Sequence, residues 1–103
     1  MKTKHPLLRE NANKLRRISR MMKTIGNESR LAIIELLIDR GRLPVREISE
    51  VIDISQSSTS QHLKALENVG AIGSEREGTS IYYSIENTGM EKLLACMHTC
   101  ADC

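Results

Sequence analysis

Three residues with metal or redox chemistry stand together at the end of the chain. The segment Cys96-Met97-His98-Thr99-Cys100-Ala101-Asp102-Cys103 holds all three cysteines of the sequence. Spacings of four and three place Cys96, Cys100 and Cys103 on one stripe of a continuing helix. Thiolates are soft ligands, so such a set selects thiophilic ions such as As(III), Cd2+, Pb2+ or Cu(I) over Mg2+ or Ca2+. Zinc fits if His98, Asp102 or Glu86 from a second copy of the chain completes four ligands. His98 lies off the stripe, so its use requires the helix end to unwind. The outer two cysteines are separated by a rise of about 10 Å. A single ion therefore needs either a rearranged terminus or ligands shared between two chains. A dithiol redox switch is the competing chemistry, and unreactive thiols at a helix end are the plain alternative.

A second stretch carries recognition rather than reaction. From Ile54 to Gly70 the sequence reads as one helix, with Ser55 placed to cap its first turn and Gly70 to end its last. Thr59, Leu63 and Leu66 fall on one stripe, while Ser57, Gln61, Lys64 and Asn68 point the opposite way, flanked by Ser58 and Ser60. That outer face offers donors, little bulk and one positive charge. It suits a DNA major groove, where glutamine pairs bidentately with adenine and serine or lysine reaches bases or phosphates. A solvated surface helix has the same pattern, so its neighbours must decide.

These residues have to be positioned by a small body. At 103 residues the chain is one domain, and its core must be aliphatic because it has no Phe, no Trp and two Tyr. Small helical chains of this kind often complete their burial by pairing, and a homodimer is expected. The net charge of +2 conceals an asymmetry: residues 1–23 hold eight Lys or Arg against the single Glu10, and the remainder holds seven against twelve. A basic N-terminal region is suited to phosphate contact. No apolar run approaches the ~20 residues that span a bilayer, and no signal-like hydrophobic segment follows the opening residues. A cytoplasmic location without membrane contact is expected, with the thiols reduced and no disulfide framework.

Taken in order, Leu7–Thr24 predicts a first helix with Leu8, Leu15, Ile18, Met21, Met22 and Ile25 on one stripe. Gly26 breaks it and Asn27 caps a second helix, apolar on most of its circumference from Leu31 to Ile38. A short third helix over Val45–Ile52 leads through Asp53-Ile54-Ser55 into the polar-faced fourth. Two short helices joined by a three-residue turn make a helix-turn-helix whose second helix reads DNA. Beyond Gly70 the period shortens: Ala71–Ser74 and Ser80–Ile85 predict a β-hairpin turning at Glu77-Gly78-Thr79. Placed behind the reading helix it forms a wing, from which Arg76 reaches an adjacent phosphate or the minor groove. A last helix runs from Thr88 to Cys103. The expected fold is mainly α with a small β-hairpin, a winged helix-turn-helix in the order α-α-α-α-β-β-α.

That order, with the string Ser57-Ser58-Thr59-Ser60-Gln61-His62-Leu63-Lys64-Ala65-Leu66-Glu67-Asn68-Val69-Gly70, resembles the ArsR/SmtB family of winged-helix bacterial repressors. Ile25-Gly26-Asn27-Glu28-Ser29-Arg30-Leu31 resembles that family's entry into its second helix, and Arg76-Glu77-Gly78 with Ile81-Tyr82-Tyr83 resembles its wing. The resemblance implies homodimers formed by the first and last helices, which bind operator DNA and are released by an inducer. It implies DNA contact by Ser57, Ser60, Gln61, His62 and Lys64. The family's Cys-x-Cys metal motif is absent from the third helix, where Val45-Arg46-Glu47-Ile48-Ser49 stands. Asn87 and Gly89 fall where its zinc sensors place Asp and His, and Cys100 and Cys103 where they place two His. The second helix lacks the cysteine of the persulfide-sensing members.

The expected function is thus a dimeric repressor of an operator inverted repeat, its DNA-binding residues Ser57, Ser58, Ser60, Gln61, His62, Lys64 and Arg76. Derepression is expected from a thiophilic metal or metalloid at Cys96, Cys100 and Cys103. The alternatives are a thiol redox-responsive repressor and a regulator with no small-molecule inducer. Enzyme chemistry is not expected: no Gly-rich phosphate loop is present, and His5, His62 and His98 are scattered without paired carboxylates.

Overall fold

The differing apolar patterns of the first two helices produce elements of opposite character. In the computed structural model, which describes residues 11–102, α1 spans Ala12–Ile25 and α2 spans Glu28–Arg40. The part of the expected first helix before Asn11 lies outside the described residues. Along α1 only Ile25 is buried, and Leu15, Ile18 and Met22 stay 43%, 44% and 58% exposed. Helix α2 instead runs through the centre, with Ile33, Ile34, Leu36 and Leu37 buried. Its start is fixed by Asn27, whose side chain accepts from the Arg30 amide at 3.1 Å, and Glu28 lies near the positive end of the dipole.

Gly41 ends α2 at φ 85, its amide donating to the Leu37 carbonyl. A two-residue strand follows, β1 at Leu43–Pro44, then α3 at Val45–Ile52 and α4 at Gln56–Asn68. In α3 Ile48 is fully buried and Ile52 turns inward, while Val51 is exposed. The hairpin is β2, Ile72–Glu77, and β3, Ser80–Ile85; α5 closes the chain at Gly89–Ala101. The sheet is antiparallel in the order β1-β3-β2, with Leu43 opposite Tyr83 and Ser74 opposite Tyr83 on the other side.

The expected order is kept with one addition, β1, which makes the hairpin a three-stranded sheet. Two residues ending in proline show no period, and proline is tolerated here because the strand lies at the sheet edge. The first hairpin strand also runs further than its expected end at Ser74, because Glu77 pairs with Ser80 and the turn shrinks to Gly78-Thr79. Gly78 takes φ 65, which suits the first position of a two-residue hairpin loop. One core joins the elements: Ile25, the α2 face, Leu43, Ile48, Leu63, Leu66, Ile72, Met90 and Leu94, with the partly buried Tyr83 and Ile85 of β3 packed against it. Among the described residues no helix is long and apolar enough to cross a membrane.

Candidate nucleic-acid interface

Helix α4 is anchored on its inner side, which decides what its outer side presents. Thr59, Leu63 and Leu66 are all fully buried. Thr59 Oγ1 donates to the Ser55 carbonyl at 2.8 Å, so the one polar group on the inner stripe is satisfied within the helix. Ser55 Oγ accepts from the Ser58 amide at 3.0 Å, capping the first turn as its residue type predicts. The preceding turn depends on Asp53 in the left-handed region at φ 58, which lets the Ile54 amide return to the Ser49 carbonyl at 3.2 Å. The outer face then carries Ser57, Ser60, Gln61 and Lys64, all exposed, with exposed Ser58 on its flank.

His62, one turn after Ser58, borders that face with its ring engaged by Arg30. It is half-buried, and its Nδ1 accepts from Arg30 Nε at 3.1 Å. Arg30 Nη1 also donates to the Thr24 carbonyl at 3.0 Å, so one guanidinium joins the end of α1, the start of α2 and the middle of α4. Burial first, and the Arg30 charge second, hold the His62 pKa below its ordinary value, keeping the ring neutral with Nδ1 free to accept. The structure therefore places His62 in a contact that ties α4 to the junction of α1 and α2.

Arg76 lies exposed on β2, and strand alternation puts it on the same face as Ser74. Ser74 Oγ donates to Glu67 Oε2 of α4 at 2.9 Å, so this face of the wing turns toward the reading helix. Tyr83, beside Ser74, is partly buried, and burial with the nearby Glu67 raises its pKa. The opposite face carries Glu75 and Glu77. Arg42 Nη2 pairs with Glu77 at 2.6 Å and lies 3.7 Å from Glu75, while its guanidinium carbon sits 4.4 Å above the Tyr82 ring.

Two of the three cysteines lie on α5. Cys96 and Cys100 are both exposed on one flank of α5, one turn apart. Cys103 lies outside the described residues. His98 contacts Glu35 of α2, which raises its pKa through that hydrogen bond and charge. At 100° per residue His98 is about 160° around the helix from Cys100, so it is turned away from the thiols. Among the described residues no three of His, Cys, Asp and Glu converge on a metal-sized site. Beside α5 an apolar groove of about 470 Å³ runs between α1 and α2, bordered by Met22, Leu31, Leu93 and Met97.

Arg30 and Arg42 are absent from the sequence-based set because their partners, 32 and 35 residues away, leave no local pattern.

A buried-backed helix presenting short polar side chains, preceded by a three-residue turn and flanked by a hairpin, defines a winged helix-turn-helix of DNA-binding type. The sequence model described as "Bacterial regulatory protein, arsR family" matches residues 27–72, from the cap of α2 to the start of the wing. A cadmium resistance transcriptional regulatory protein of Listeria innocua is 34% identical over 77 residues, 75% of this chain and 65% of that protein. The chain thus spans just under two thirds of that regulator's length. The arsenical resistance operon repressor of Bacillus subtilis is 32% identical over 81 residues, covering 79% of this chain and 77% of the repressor. A homodimeric winged helix-turn-helix DNA-binding domain from Mycobacterium bovis superposes with a TM-score of 0.82 at 29% identity, over 99% of this chain and 91% of that domain. The chain belongs to the arsR family of bacterial regulatory proteins, a family of transcriptional regulators rather than enzymes.

Proposed function

We propose that the chain is a homodimeric transcriptional repressor that holds an operator inverted repeat through α4 and the wing, and is released by a thiophilic metal or metalloid ion. The observation carrying the DNA reading is the split of α4 into a fully buried stripe of Thr59, Leu63 and Leu66 and an exposed one of Ser57, Ser60, Gln61 and Lys64. Ser57, Ser58, Ser60, Gln61 and Lys64 face the major groove, and Arg76 reaches the neighbouring backbone. His62 contributes by holding α4 to Arg30.

Pairing is supported by Leu15, Ile18 and Met22 on α1 and Met97 on α5, large apolar side chains left 43–58% exposed. Two copies covering these faces would set the spacing of the two reading helices against successive major grooves. The inducer reading is supported by the cadmium and arsenical resistance roles in the names of the relatives and by Cys96 and Cys100 standing exposed on one flank of α5. With two thiols in the described part of each chain, and His98 engaged by Glu35, soft ions are favoured over zinc. Cys103 or the second chain supplies the remaining ligands, which ties occupancy to the pairing helices.

The test is a gel-shift with the DNA upstream of the coding sequence, in rising salt and then with arsenite, Cd2+ or peroxide. Binding that weakens steeply with salt and is released by arsenite or Cd2+ agrees with the proposal. C96S/C100S should keep the affinity and lose the response. Release by peroxide alone assigns the cysteines to redox sensing instead, and salt-independent or absent binding ends the DNA reading.

A further inference from the structure

The wing presents a charge problem. Between Ile72 and Ile85 the charged residues are Glu75, Arg76 and Glu77, a net charge of −1 on a hairpin that the proposed function lays against phosphates. Two like charges on one strand face would repel the backbone that Arg76 is meant to meet. The structure supplies the missing charge from outside the hairpin. Arg42, in the link between α2 and β1, spans Glu75 and Glu77 and stacks over Tyr82, the β3 residue opposite Glu75. Pro44 pairs with the same Tyr82, and Arg42, two residues before Pro44, reaches Tyr82 diagonally. As exposed pairs these contacts add little to folding. Their effect on an approaching polyanion is of another kind, since a guanidinium held against two carboxylates offsets their field locally, where the phosphates would come closest.

We propose that Arg42 supports DNA binding by masking charge: it offsets Glu75 and Glu77, so that Arg76, on the other face, meets the phosphate backbone without their repulsion. This rests on the DNA-binding reading above, and it assigns a role to a residue outside both the reading helix and the wing. Strand alternation leaves Arg76 and Ser74 on the other face, the one turned to α4.

The experiment is a charge cycle read on a short random-sequence duplex, because the phosphate contribution is independent of base sequence. R42Q should weaken binding roughly tenfold per wing near ~0.1 M salt, a loss that shrinks as salt rises. E75Q/E77Q should change wild-type affinity little and restore most of the loss when combined with R42Q. Recovery in the triple variant separates charge masking from mere folding of the wing, because the clamp stays broken in it. Unchanged affinity in R42Q overturns the proposal, as does a loss that E75Q/E77Q does not recover. Equal strengthening by E75Q/E77Q with and without Arg42 also overturns it, since Arg42 would then be acting as an independent charge. A wild-type chain that binds no duplex at low salt overturns the DNA-binding reading, and this proposal with it.

Discussion

Two histidines titrate in opposite directions, and each reports on a different contact. His62 is held below its ordinary value of 6.5, so the fold favours its neutral ring. Its contribution is present above the unfolded pKa and is lost as pH falls below 6.5. The stability difference between the wild type and H62Q should therefore narrow as pH falls from about 7 to about 5, followed by urea unfolding. His98 is raised above 6.5 by Glu35, so its contribution is full below that value and is lost as pH rises through the raised one. The difference between the wild type and H98Q should narrow with rising pH. Parallel behaviour of the two variants would exclude the contacts assigned to them. The identity of His62 as part of the reading helix was legible in the string around it. Its inward engagement was not, because Arg30 comes from another helix.

At the scale of elements, the helix-turn-helix depends on one backbone position. Asp53 is the non-glycine residue at positive φ among the described residues, and aspartate is among the few side chains that tolerate that region. D53G should leave stability within a few tenths of a kcal/mol of wild type. D53V places a β-branched residue there and should cost about 1–2 kcal/mol by urea unfolding. If D53V unfolds like wild type, the left-handed turn is not what joins α3 to α4. The boundaries of α2, α3 and α4 were readable because caps and stripes are local signals: Asn27 and Ser55 both accept where their types predict. The strand β1 was not, since its existence depends on Tyr82 and Tyr83 arriving beside it from about 40 residues later.

As a whole the molecule is extended for its size. Its radius of gyration is 15.7 Å, against about 13 Å for a compact chain of 100 residues. If Leu15, Ile18 and Met22 are covered by a second copy, I18E should shift the chain from dimer to monomer in sedimentation. Operator affinity should fall with it, because two half-sites no longer bind as a unit. A dimeric I18E variant would move the interface elsewhere.

By itself the sequence determined the elements that local physics controls: a capped helix with a buried stripe and a polar face, a central apolar helix, a hairpin and a cysteine-bearing last helix. These depend on period, caps and turn residues, all within a few positions of one another. Tertiary structure alone decided which side chains meet. It turned His62 inward to Arg30 and His98 away from the thiols to Glu35. It also brought Arg42 over the wing from a link that shows no motif. Such contacts join residues more than 30 positions apart, and they form only because the aliphatic core fixes how the helices and sheet lie against each other.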